Sequence, residues 1–166
     1  MTDPDHLSPQ QDRTWSLLVG VMMWLPAELD TYLERVGGVS HAEYQVLHCL
    51  SVSEDREVHM GRLAATASVT PSHLSRIVAR LEKRQWITRS SDPDDARRTL
   101  ARLTETGAQL ASRIEPGYAE QVRRHVFDRL DVRQAEQLED LAEAMLTSLH
   151  PDCLQIMPER TARQHA

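Results

Sequence analysis

Apolar residues recur along this chain at steps of three and four over most of its length, which predicts a largely helical fold interrupted by a short hairpin near the middle. The first run, Trp15, Leu18, Met22, Leu25, Leu29, Tyr32 and Val36, has the spacing of a helix with one continuous apolar seam, opening near Gln11 and ended by Gly37 and Gly38. Such a seam needs a partner surface. Pro26 sits in its middle and removes a backbone donor, so a kink or break is expected there.

Ser40, with Glu43 three residues on, forms a capping box ahead of Tyr44, Val46, Leu47 and Leu50, and the acidic loop 53–57 closes this second helix. Residues 57–60 read as a short edge strand, and Gly61 opens a short helix with Leu63, Ala64 and Ala67 turned inward. After a turn at 68–70, Thr70 is placed to cap a further helix, with Pro71 at its first position, where a missing N–H costs nothing. Leu74, Ile77, Val78 and Leu81 fall at i, i+3, i+4 and i+7, so one face of that helix packs inward. The opposite face carries Ser72, His73, Ser75, Arg76, Ala79, Arg80 and Lys83.

Trp86 and Ile87 then begin a strand, residues 100–103 form its return, and 90–99 make the loop between them. Thr104 caps a long helix through Leu110, Ile114, Tyr118, Val122 and Val126, with a bend expected at Pro116-Gly117. Asp131, with Gln134 behind it, caps a last helix whose stripe is Ala135, Leu138, Ala142, Met145 and Leu149, stopped by Pro151. The tail beyond has no periodicity and is expected to be mobile.

Length and composition change this picture little. A chain of 166 residues with ordinary apolar and charged content buries one good core, as one domain or two tightly joined parts. Charge changes it more. The net charge of −6 argues against a polyanionic partner until its distribution is examined. Residues 60–103 hold nine basic and four acidic side chains, a surplus of five positive charges, whereas the remainder holds ten basic and twenty-one acidic, a surplus of eleven negative ones. A local basic face on an acidic body still attracts phosphate and favours one orientation of approach. Cys49 and Cys153 are far apart and suit a reducing compartment. The polar, acidic start lacks the basic leader of a signal peptide, and the apolar run 15–25 is too short to span a bilayer, so a soluble cytosolic protein with no membrane partner is expected.

Two helices joined by a tight turn, the second bearing small polar and arginine side chains on its exposed amino-terminal half, make a helix-turn-helix arrangement. Short side chains suit approach to base edges, and long cationic ones suit phosphate. Ser72, His73 and Ser75 meet the first demand, Arg76, Arg80 and Lys83 the second or both, and Thr70 with Pro71 at the helix start leaves free N–H groups able to hold a phosphate. On the helix alone a merely solvated charged face is an equal reading. Arg97 and Arg98 tip the balance, because they lie near the tip of a loop between strands, where a guanidinium reaches a minor groove beside a helix in the major groove.

The run DPDDARRTLARLTETG closely resembles the wing signature of the MarR family of winged helix-turn-helix regulators, D-x-R followed by a strand and L-T-x-x-G, here Asp95, Arg97, Leu103, Thr104 and Gly107. The upstream VTPSHLSRIVARLEKRQWI resembles that family's recognition helix, and the likeness in organisation covers residues 11–149. The resemblance implies a mainly α fold with a small β-wing: a winged helix-turn-helix module at 39–103 between a dimerisation helix at 11–38 and C-terminal dimerisation helices at 104–150, with flexible ends at 1–10 and 151–166. It further implies a homodimer that binds double-stranded DNA at a palindromic operator, a repressor relieved by a small aromatic or phenolic effector. Arg97 would be the minor-groove arginine and Asp95 a brace for the wing. Asp94 stands where many relatives carry a basic residue, and its charge opposes the field of Arg97 and Arg98.

Other chemistry carries less. His41 and His48 share one side of a helix, but no HExxH or CxxC accompanies them, so neither metal nor cofactor is expected. Cys49 reads as a small buried hydrophobe, and Cys153 in the tail has nothing nearby to activate it. Trp15, Met22, Met23 and Trp24 are candidates for an effector pocket, although their helical spacing favours core. No nucleophile elbow, phosphate loop or paired-carboxylate pattern occurs, and Ser72 and His73 diverge on their helix, so an enzyme is not expected. The competing readings are a winged-helix module for protein contacts and a small-molecule binding protein without specific DNA recognition.

Overall fold

The computed structural model describes residues 6–149; the expected mobile tail at 151–166, with Cys153, lies outside them. The first helix, α1, spans Pro9–Gly37, two residues earlier than the apolar seam suggests. Its cap explains the difference, because Ser8 Oγ accepts the Gln11 N–H while Gln11 Oε1 accepts the Ser8 N–H. The break expected at Pro26 does not occur. One missing hydrogen bond in a helix of 29 residues is absorbed, and Leu29 and Leu33 beyond it are buried. Gly38, at φ 62°, ends α1 by donating its N–H to the Glu34 carbonyl.

Helix α2, His41–Ser51, is the hub of the fold. The reciprocal capping of Ser40 and Glu43 starts it, and Tyr44, Val46, Leu47, Cys49 and Leu50 are buried along it. The remaining elements surround it: β1 (Glu57–His59), α3 (Met60–Thr66), α4 (Pro71–Lys83), β2 (Ile87–Ser91), β3 (Thr99–Leu103) and α5 (Glu105–Val122). Of these, α1, α3, α4, α5 and β3 all pack on α2. The three strands form one antiparallel sheet in the order β1-β3-β2, with Ala101 opposite both Val58 and Arg89. Leu63, Leu74, Ile77, Leu81, Ile87 and Ile114 close the core around α2, each at most 1 % exposed.

Helix α5 begins at a Thr104 cap and runs past Pro116 without interruption, so the bend expected there does not break it. The irregularity comes later, at Arg123–Phe127, where the backbone widens into a π-type turn that takes in Val126. Asp131 and Gln134 then cap each other ahead of α6, Val132–Leu149. Helix α6 buries none of its residues against its own chain.

Candidate nucleic-acid interface

The turn between α3 and α4 is made by Ser68, whose φ of 53° reverses the chain, and by the Val69 N–H on the Ala64 carbonyl. Thr70 Oγ1 accepts the His73 N–H at 3.3 Å and so fixes the start of α4. The inner face, Leu74, Ile77, Val78 and Leu81, is sealed into the core. The helix therefore keeps that face to the core, and Pro71, Ser72, Ser75, Arg76 and Lys83 are held outward, with His73 half-buried beside them. Ser75 Oγ donates to the Pro71 carbonyl at 3.0 Å, which orients its lone pairs away from the helix. Among the described residues no carboxylate pairs with Arg76 or Lys83, so both cations face solvent uncompensated.

The hairpin between β2 and β3 is organised by two aspartates. Asp95 Oδ1 accepts the Arg97 backbone N–H at 3.1 Å and lies 3.4 Å from its Nε, while Oδ2 lies 3.4 Å from Arg98 Nε. The Arg98 N–H returns to the Asp95 carbonyl at 2.8 Å. Asp92 Oδ1 accepts the Asp94 N–H, and its Oδ2 lies 3.6 Å from His59 Nε2, so the hairpin is tied across to β1. The Arg97 side chain is 94 % exposed at the tip. An ion pair that exposed is weak and gives way to a better anion at little cost.

Helix and hairpin meet in a cleft of about 630 Å³ lined by His59, Arg62, Ser75, Arg89, Arg97 and Arg98. His59, Arg62 and Arg89 are the three of these that side-chain pattern alone does not mark. Arg89 is held by Glu82 through Nε at 3.1 Å and a terminal nitrogen at 2.5 Å, and that hydrogen-bonded partner lowers the Glu82 carboxyl pKa. The signal for Arg89 was its position on an exposed strand paired with β3, which becomes informative only once the register is known.

Arg80 is exposed on the outward face, as expected, but its side chain is paired. Its Nε donates to Glu43 Oε1 at 2.7 Å, and the second oxygen of Glu43 accepts the Ser40 N–H at 2.9 Å. Burial works against ionisation of Glu43, but the Ser40 and Arg80 bonds outweigh it and hold the carboxyl below its ordinary value. One turn further on, Arg84 donates to the Gly38 carbonyl and stacks over the Trp86 ring at 4.9 Å.

At the junction of α1, α2 and α5 a second polar cluster forms. His41 Nε2 lies 2.9 Å from the Tyr118 hydroxyl and 3.1 Å from Gln45 Nε2, and the His41 N–H donates to Asp30. Burial lowers the pKa of the His41 imidazole, against the raising effect of Asp30. Tyr44 stacks on His48 and meets Tyr118 at a tilt of 49°. Cys49 is buried, and its thiol is pushed up to about 11 by burial, which leaves it a packing residue. Among the described residues no group of three or more His, Cys, Asp and Glu side chains is arranged to hold a metal ion.

Trp15, Met22, Met23 and Trp24, whose spacing favours core, are instead 52 %, 50 %, 68 % and 73 % exposed. Residues 15–25 of α1 are apolar on nearly every side, and among the described residues no element covers them. The same is true of Leu138, Leu141, Met145 and Leu149 on α6. Among the described residues no helix is long and apolar enough to cross a membrane.

The MarR family matches over residues 39–99. Sco3205, a MarR family transcriptional regulator from Streptomyces coelicolor solved in complex with DNA, is similar at 34 % identity and a TM-score of 0.86, over 92 % of this chain and 95 % of that one. CouR from Rhodococcus jostii RHA1, solved bound to p-coumaroyl-CoA, is similar at 25 % identity and a TM-score of 0.69, over 81 % and 90 %. The uncharacterized HTH-type transcriptional regulator YhbI of Bacillus subtilis strain 168 is 29 % identical over 109 residues, 66 % of this chain and 70 % of YhbI.

Proposed function

The chain belongs to the MarR family and is a DNA-binding transcriptional regulator rather than an enzyme, and on that premise we propose that it acts in the cytoplasm as a homodimeric repressor of a palindromic operator, released by a small ligand. The observation that carries the DNA-reading part is the cleft in which Ser75 of α4 meets Arg97 and Arg98 of the hairpin. Such a cleft straddles one phosphate backbone, with the helix in the major groove and Arg97 in the adjacent minor groove.

Ser72, His73, Ser75 and Arg76 face base edges in this reading. Thr70, Pro71 and Lys83 lie against phosphates, and Arg97 and Arg98 serve the wing that Asp95 braces. Residues 39–103 form the reading module, and 11–38 with 104–150 the dimerisation helices. The uncovered apolar faces of α1 and α6 support the dimer, because a two-fold partner supplies the same surfaces in return. Ligand release rests on the half-buried Tyr118, His41 and Gln45 cluster, which offers aromatic faces and hydrogen bonds to a small aromatic or phenolic effector, and on the ligand that CouR holds.

The test is selection of bound duplexes from a random library by the purified protein, followed by salt titration of the best sequence. A two-fold symmetric site with half-sites roughly 10 bp or a multiple apart, and affinity that falls steeply with salt, is the expected result. Failure to enrich any sequence favours a protein-contact role for the same basic face. Sedimentation at micromolar concentration reads the dimer independently. A monomer there removes the two-fold operator from the reading.

A further inference from the structure

Arg80 on α4 and Arg84 at its C-cap stand four residues apart, and both side chains end on the corner where α1 hands over to α2. Arg84 takes the Gly38 carbonyl, the last cap of α1. Arg80 takes Glu43, whose other oxygen caps the first turn of α2. Glu43 is 7 % exposed, and Val39 within the corner is fully buried. One carboxylate therefore joins the start of α2 to the recognition helix, through a directional, charge-assisted bond.

That bond matters because of what surrounds it. Helix α4 packs on α2, α3 and β2 but has no extensive contact with α1 or α5. The apolar α2–α4 contact is non-directional and tolerates small rotations. In a two-fold reader the separation and tilt of the two recognition helices run through this corner, and base contacts fail when either drifts.

We propose that Glu43 is a positioning residue for DNA reading, its carboxylate latching the recognition helix through Arg80 to the α1–α2 corner and so fixing how each subunit presents its helix to a half-site. This rests on the dimeric DNA-reading function above. Arg80 is then a structural cation and not a phosphate contact. Arg84 on Gly38 supplies a second, weaker point of attachment at the same corner.

Full-length Glu43→Gln, Arg80→Met and the double variant, titrated by fluorescence anisotropy against the selected operator, test this. The same titrations use operators with one base pair inserted or removed between half-sites, at several salt concentrations. Gln at position 43 still accepts the Ser40 N–H but turns an amide, not a charge, toward Arg80. Each single variant should bind the matched operator roughly tenfold more weakly. The double variant should be no weaker than the worse single one. Discrimination against altered spacers should shrink, and the salt slope should not change.

If Arg80→Met instead flattens the slope by about 0.9 while Glu43→Gln binds equally or more tightly, Arg80 touches phosphate and the latch is overturned. Equal losses with unchanged spacer discrimination overturn it too, leaving a pair that only stabilises the fold. Arg80 is half exposed, so Arg80→Met keeps the test available should Glu43→Gln fail to fold. A wild-type protein that selects no DNA sequence defeats the underlying function, an outcome distinct from any of these.

Discussion

Replacing Gly107 by alanine tests how tightly the start of α5 is interlocked with the root of the wing. A Cβ at this position would lie 2.2 Å from the Trp86 carbonyl oxygen, 3.0 Å from its carbonyl carbon and 2.8 Å from Leu103 Cδ1. The leucine can rotate away. The Trp86 backbone cannot follow cheaply, because its oxygen accepts the Thr104 N–H at 3.0 Å. The neighbouring Gln85 carbonyl accepts Thr104 Oγ1 at 2.8 Å and Thr106 Oγ1 at 3.0 Å. Restoring an ordinary carbon–oxygen separation of about 3.3 Å requires a shift of about 1 Å, which those bonds do not survive together. Overpacking of this kind costs about 1–3 kcal/mol, and one lost backbone bond roughly 1 kcal/mol more. The expected loss is therefore about 2–4 kcal/mol of a total near 5–15 kcal/mol. Urea denaturation at fixed protomer concentration should show a lower midpoint at an unchanged slope. Gly61→Ala, where nothing lies within 4 Å of the added carbon, is the control and should be neutral or slightly stabilising. A Gly107→Ala protein within about 0.5 kcal/mol of wild type would refute the reasoning.

Arg76→Ala should cost about 1–3 kcal/mol of operator binding and relax preference at one base pair; repeated selection with the variant checks this, and an unchanged preference shows that Arg76 reads no base. His41 carries the pH dependence. Its folded pKa lies below its ordinary value because burial disfavours the charged ring, so between that depressed value and about 6.5 the unfolded chain binds the extra proton and the folded one does not. Stability is then complete above about pH 6.5 and falls as pH drops through the window below it. Urea midpoints compared at about pH 7.5 and about pH 5.5 should move closer together in His41→Gln, and an undiminished gap assigns the effect elsewhere.

How much of this was legible in the sequence follows from the range of the interactions involved. The caps at Ser40, Thr70, Thr104 and Asp131 were readable because each is settled within four residues. The inner face of α4 was readable because Leu74, Ile77, Val78 and Leu81 repeat at helical spacing. Pro26 and Pro116 do not break their helices, since a proline states a local cost and the surrounding helix decides whether to bear it. Arg80 shows the limit for the site. Its spacing on α4 matches that of a groove-facing side chain, but its partner is 37 residues away and was already assigned a purely local role as a cap. Arg89 joined the cleft only when strand register set β2 beside β3, and Arg62 only when α3 packed against the sheet. The exposure of Trp15, Met22, Met23 and Trp24 was hidden for another reason: periodicity reports that a face is to be covered, not which chain covers it.

The division of charge sets one more measurable consequence. Residues 60–103 carry a surplus of five positive charges and the rest of the chain a surplus of eleven negative ones. The acids include Glu28, Asp30 and Glu34 on α1 and Glu136, Glu139, Asp140 and Glu143 on α6. At about 0.1 M salt charges are screened beyond about 10 Å, so DNA in the cleft responds chiefly to Arg76, Lys83, Arg97 and their neighbours. At about 0.01 M the screening length approaches 30 Å, which is the scale of a whole helix, and the acidic helices begin to repel the same DNA. Attraction and repulsion then grow together as salt is withdrawn. A plot of log affinity against log salt should be straight at higher salt, with a slope set by the number of phosphates neutralised, and should flatten toward low salt. Neutralising the acids of α6 should restore the straight line without altering sequence preference. A line already straight over the whole range in the wild type would mean that the acidic helices lie too far from the bound duplex to contribute.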